Sequence, residues 1–71
     1  MNNMSIIIGI INNKLLTSNP NRNEITFWNI NDLSVNKIIE FPTFRNSVII
    51  HKNVIYGSNK NGIYKLDVEN I

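Results

Sequence analysis

Apolar residues along this chain come in short bursts separated by polar, turn-forming residues, and no window sustains the i, i+3, i+4 spacing that three helical turns require. The bursts run Ile6 to Ile11, Lys14 to Ser18, Glu24 to Ile30, Val35 to Phe41, Ser47 to Ile50, Asn53 to Ser58 and Ile63 to Val68. Val, Ile, Phe, Trp, Tyr and Thr fill them, residue types that suit a pleated surface, while Asn, Pro, Gly and Asp stand between them. The pattern predicts seven short strands and an all-β fold.

The pattern also repeats. Ile10 to Asn19 falls over Ile50 to Asn59 at an offset of 40, pairing Ile with Ile, Asn13 with Asn53, Leu15 with Ile55 and Ser18-Asn19 with Ser58-Asn59. Ile25 to Leu33 falls over Ile63 to Ile71 at an offset of 38, and the two-residue difference lies in a longer loop, Asn19 to Asn23, in the first copy. One four-stranded sheet cannot bury both of its faces alone, whereas radially stacked sheets cover one another. The expectation is therefore about two antiparallel sheets of the propeller-blade kind, four strands followed by three, forming an incomplete propeller. The first blade-like repeat spans 5–42 and the second, partial one 43–71, with Pro42, which lacks a ladder donor, at the break.

Within the strands, Thr26, Trp28 and Ile30 share one face, and Tyr64, Leu66 and Val68 take the same places in the second copy. Ile25-Thr26-Phe27-Trp28-Asn29-Ile30 resembles the strand that gives WD repeats their name, with Trp28-Asn29 where Trp-Asp is usual and Leu66-Asp67 in the same place 38 residues later. Gly57-Ser58 followed by Asn61-Gly62-Ile63 is similar to the passage by which that family enters the strand. A kelch-type propeller is the alternative: Phe41-Pro42-Thr43-Phe44-Arg45 and Ile55-Tyr56-Gly57 resemble kelch segments. Either resemblance implies a blade and a non-catalytic scaffold that binds protein. Two further readings stay open: a segment of an enzymatic propeller whose active residues lie elsewhere, and a degenerate remnant.

Composition narrows the chemistry. The chain has 71 residues, no Cys and one His, which removes disulfides and thiolate metal sites as sources of stability for so small a fold. Asn and Ile abound, as AT-rich coding would produce, and the Asn residues fall at turn positions. The net charge of +2 comes from scattered residues, so nucleic acid binding is unsupported, and no apolar run reaches the roughly 20 residues of a membrane helix. No carboxylate pair is spaced for acid and base work, no Ser has a recognisable triad, and no Gly-rich phosphate cradle is present. The expectation is no enzyme, no metal site and no cofactor, in an intracellular protein of the cytoplasm or nucleus.

Three residues stand out as possible partner contacts: Arg22 in the longer loop, and Phe44 and Arg45 on the connector between copies, because aromatic and Arg side chains on connectors are common interface anchors. The partner is then a protein or further propeller blades, and the isolated chain is not expected to be a stable monomer. Two local expectations complete the reading. Asn61-Gly62 forms a tight hairpin turn, and Trp28 lies buried between the two sheets. A small sandwich burying Trp28 against Leu66 is the competing arrangement.

Overall fold

A computed structural model of the chain describes residues 5–19, 21–41 and 48–70. They form seven strands and no α-helix: β1 (Ile6–Ile11), β2 (Lys14–Asn19), β3 (Glu24–Asn29), β4 (Val35–Glu40), β5 (Val48–His51), β6 (Val54–Asn59) and β7 (Gly62–Asp67), followed by a 3-10 turn at Val68–Asn70. The fold is all-β, with one antiparallel sheet in the order β1-β2-β3-β4 and a second in the order β5-β6-β7. Neither sheet closes on itself. Pro42, the expected break between the copies, lies outside the described residues.

The turns explain why the strands fall where they do. Asn12 and Asn13 have φ of 49° and 64°, and Lys52 and Asn53 have φ of 50° and 64°. Two successive residues with positive φ match the right-handed twist of the flanking strands, and Asn adopts that conformation more readily than most residues. The same two-residue hairpin therefore recurs 40 positions apart. The β2–β3 loop is held by its first residue: Asn19 Oδ1 accepts from the Asn21 amide at 3.2 Å, and the Asn19 carbonyl accepts from the Arg22 amide at 3.1 Å.

The β6–β7 turn differs from expectation. Asn59 pairs with Gly62, so Lys60 and Asn61 make the turn and Gly62 is the first residue of β7, with φ of 144°. The resulting register sets Tyr64 opposite Gly57 and Leu66 opposite Ile55. A turn at Asn61-Gly62 would slide Leu66 opposite Gly57 instead. The observed register gives the large tyrosine ring the neighbour with no side chain and pairs two aliphatic residues beside it.

Strand alternation assigns the faces. In the first sheet Leu16, Ser18, Ile25 and Phe27 lie on one side through the cross-strand pairs Leu16↔Phe27 and Ser18↔Ile25. These four are buried, together with Ile11 on β1 and Phe41 just past β4. In the second sheet the buried side holds Val48, Ile55 and Gly57, with Ile50, Tyr64 and Leu66 packed against the same cluster and Val68 closing its end. These two faces meet and form the core. Leu16, Ile25 and Ile55 have no exposed surface at all, and each is worth about 1.5–3 kcal/mol relative to an exposed position.

The sheets approach one another most closely through their first strands, β1 and β5. Gly9 sits at that contact: a Cβ there would lie 2.8 Å from Ile50 Cδ1, and its φ of 155° is one that other residues rarely adopt. The β1–β2 ladder is irregular between Ile7 and Gly9, so the strand bends at the same place.

Trp28 corrects the sequence reading. It is half-buried, pairs with Leu15 across β2, and lies on the face opposite Phe27 and Ile25. That face looks away from the second sheet. The indole Nε1–H donates to Thr17 Oγ1 at 2.9 Å, so the ring lies over β2 rather than in the intersheet core. The sandwich that would bury Trp28 against Leu66 is therefore not formed.

Candidate interaction surfaces

The three candidate partner contacts are not brought together. Arg22 is exposed at the tip of the β2–β3 loop, next to the turn organised by Asn19. Phe44 and Arg45 lie outside the described residues. The loop geometry presents the Arg22 guanidinium to solvent, free of the core, where it can reach a carboxylate or an aromatic face on another molecule.

A shallow cavity of about 160 Å³ opens at one end of the intersheet core, lined by Ile11, Asn12, Lys14, Phe27, Asn36, Lys37 and Val68. Its lining combines three apolar residues, Ile11, Phe27 and Val68, with two Lys and two Asn. None of its described lining residues carries a carboxylate or a hydroxyl. Among the described residues, no group of three or more His, Asp or Glu could hold a metal ion. No described helix is long and apolar enough to cross a membrane.

Asn29 and Asp67, the polar positions of the two segments likened to a WD dipeptide, make local structural bonds. Asn29 Nδ2 donates to Ser34 Oγ at 2.9 Å, and the Asn29 amide donates to the Ser34 carbonyl at 2.8 Å. Asp67 Oδ1 accepts from the Glu69 amide at 3.1 Å and starts the 3-10 turn. Asp32 accepts at 3.0 Å from the Ser34 amide and at 2.8 Å from the Ser34 hydroxyl. Its carboxyl is held below the usual value of 3.8, first by the Ser34 backbone donor and then by the Ser34 hydroxyl. The Asn29, Asp32 and Ser34 bonds shape the β3–β4 loop.

An apolar outer face that no single motif marks lies on the four-stranded sheet. The outer face of the four-stranded sheet carries Ile7 and Ile10 from β1, Leu15 from β2, Trp28 from β3 and Val35 and Ile38 from β4, all joined by cross-strand pairing. Ile7 is 67% exposed and Ile10 58%. A contiguous apolar face of this kind marks an interaction surface more often than scattered exposed residues do. The signal was in the sequence: Ile10, Leu15 and Trp28 are the repeat equivalents of Ile50, Ile55 and Leu66, which are the residues the second sheet uses to dock.

No family model matches the chain, and neither a curated protein nor a solved structure matches it. The surfaces themselves are thus the basis for any functional reading.

Proposed function

We propose that the chain is a pair of blades from a radially repeating β architecture of the WD or kelch kind, and that it serves as a non-catalytic scaffold for binding protein. One observation carries the reading. Leu16, Ser18, Ile25 and Phe27 on the first sheet receive the second sheet, while their equivalents Tyr56, Ser58, Ile63 and Lys65 lie on the far side of that second sheet. The sheets therefore stack with equivalent faces turned the same way, the order that radially repeated blades require, and not as a sandwich with equivalent faces turned toward each other.

Close approach at β1 and β5, with Gly9 at the contact, agrees with blades that converge on an axis at their first strands. In such an architecture the loops and uncovered faces do the binding while the sheets hold them rigid. Arg22 belongs to the loop set. The scaffold reading gives it the role of a polar anchor beside a larger apolar contact.

The face assignment is tested by moving the indole. In a Trp28→Phe/Leu66→Trp variant the only Trp lies on the docked face of the second sheet. Its fluorescence emission should be shifted to the blue of that of the unmodified chain. An emission maximum at the same or longer wavelength would remove the stacked-blade reading and the scaffold proposal built on it.

A further inference from the structure

The β1–β2, β5–β6 and β6–β7 hairpins each place Asn second in a two-residue turn: Asn13 before Lys14, Asn53 before Val54 and Asn61 before Gly62. The residue that follows is what separates them, and no other Asn in the sequence is followed by Gly. An Asn side chain can be attacked at Cγ by the backbone nitrogen of the next residue, closing a succinimide ring. A Cβ on that next residue crowds the approach, most of all a branched one such as that of Val54, and Gly removes the obstacle.

The fold leaves the Asn61-Gly62 step open. Lys60, Asn61 and Gly62 are all exposed. Nothing lies within 4 Å of the place a Gly62 Cβ would take, so no neighbouring group covers the attacking side. Asn59↔Gly62 is the last pair of the β6–β7 ladder, and β7 is an outer strand of its sheet. Pairing at the end of an outer strand opens more readily than pairing in the core, which frees the Gly62 nitrogen to turn toward the side chain.

We propose that Asn61 is a site of spontaneous covalent modification, at which the Gly62 backbone nitrogen displaces the side-chain amide and the residue becomes isoaspartate or aspartate. Base removes the proton from the Gly62 nitrogen, whose electron pair forms the bond to Asn61 Cγ. The Cγ–Nδ2 bond breaks, and Nδ2 leaves as ammonia with a proton taken from water. Water then opens the ring: attack at the main-chain carbonyl carbon of residue 61 gives isoaspartate, and attack at Cγ gives aspartate. The net change consumes one water and releases one ammonia, with no oxidation or reduction. Either product puts a carboxylate beside Lys60 and lowers the formal net charge of +2 by one. Isoaspartate also adds a methylene to the main chain just ahead of the register that sets Tyr64 opposite Gly57.

The test is peptide mapping by mass spectrometry of the full chain incubated in mildly alkaline, heavy-oxygen water, one sample folded and another unfolded in urea. In the folded sample Asn61 should lose its amide before Asn13 and Asn53, which hold the same turn position with a Cβ on the following residue. The products should carry the heavy oxygen and include isoaspartate, which direct hydrolysis of the amide cannot form. Gly62→Ala should slow the loss, with thermal melting as the control for folding. An Asn61 amide that outlasts that of Asn13 or Asn53, aspartate as the sole product, or reaction confined to the urea-unfolded sample would overturn the proposal. Those outcomes are read on the unmodified chain and stand whether or not Gly62→Ala folds.

Discussion

The two sheets start from the same repeat and end with opposite exposures. Phe27 and Lys65 are equivalent positions, yet Phe27 is buried in the core and Lys65 is exposed; Leu15 and Ile55 are equivalent, yet Ile55 has no exposed surface and Leu15 is only half-buried. Both outer faces carry exposed apolar residues, Ile7, Ile10, Val35 and Ile38 on the first sheet and Ile49 and Ile63 on the second, but the second adds His51, Lys65 and Asp67. The second sheet has a mixed outer face suited to water or a charged partner, and the first has an outer face that resembles the inside of an interface.

The sharpest way to break this comparison is to mutate equivalent positions in parallel. Phe27→Ala should cost about 3–5 kcal/mol in urea unfolding, as expected for an aromatic ring removed from a packed core. Lys65→Ala should change stability by no more than about 0.5 kcal/mol. Similar losses at the two positions would mean that equivalent residues do not face opposite environments.

The contact between the sheets gives the next largest effect. Gly9→Ala places a methyl 2.8 Å from Ile50 Cδ1 at a φ of 155°, and should destabilise by about 1–3 kcal/mol. Adding Ile50→Val removes the clashing atom, so the double variant should recover the steric part and keep the backbone part. Thermal unfolding of the four combinations separates them. Strict additivity would show that Gly9 and Ile50 do not touch.

Ser18 sharpens the same comparison at smaller scale. Its hydroxyl is buried on the inner face with no hydrogen-bond partner among the described residues, whereas its equivalent Ser58 is half-buried on the outer face. Ser18→Ala should be neutral or stabilise by up to about 1 kcal/mol, because it removes a desolvated polar group that gains nothing in return. Ser58→Ala should leave the denaturation midpoint unchanged. A marked loss at Ser18 would point to a bonded partner.

The smallest effect lies in the β3–β4 loop, which the second sheet lacks. The Asp32 carboxyl is depressed in the folded chain by the two Ser34 donors, so its contribution to stability is present above the ordinary value of 3.8 and is lost as pH falls through the lower folded value. Carboxyl NMR titration should place the Asp32 midpoint below 3.8. Ser34→Ala should move it upward while leaving some depression, since the backbone donor remains. A midpoint unmoved by Ser34→Ala would show that the hydroxyl plays no part.

Much of the fold was legible in the sequence because its signals were local. Period-two apolar bursts and clustered Asn residues marked the seven strands to within a residue or two, and the 40-residue offset separated the sheets. The inward side of β3 was not legible. Ile25 and Phe27 alternate with Thr26 and Trp28, so both faces are apolar or amphipathic, and only the position of the second sheet decides between them. Strand alternation alone gave Trp28 no inward or outward sense.

The Asn61-Gly62 turn failed for a related reason. Asn-Gly is a strong local hairpin signal, but the pairing of Tyr64 with Gly57 and Leu66 with Ile55 sets a register in which Gly62 belongs to the strand. The candidate contacts fared differently. Arg22 is placed in an exposed loop as its sequence context suggested, but the apolar outer face is a property of four strands together and no single motif carries it.

The central claim is that the sheets stack with equivalent faces turned the same way, and proton–proton contacts in solution NMR test it most directly. The account predicts nuclear Overhauser contacts from the Gly9 α-protons to the Ile50 δ1 methyl and from the Phe27 ring to the core cluster, with none between the Trp28 indole and Leu66. Contacts between the Trp28 indole and Leu66, with the Phe27 ring free of the second sheet, would contradict it.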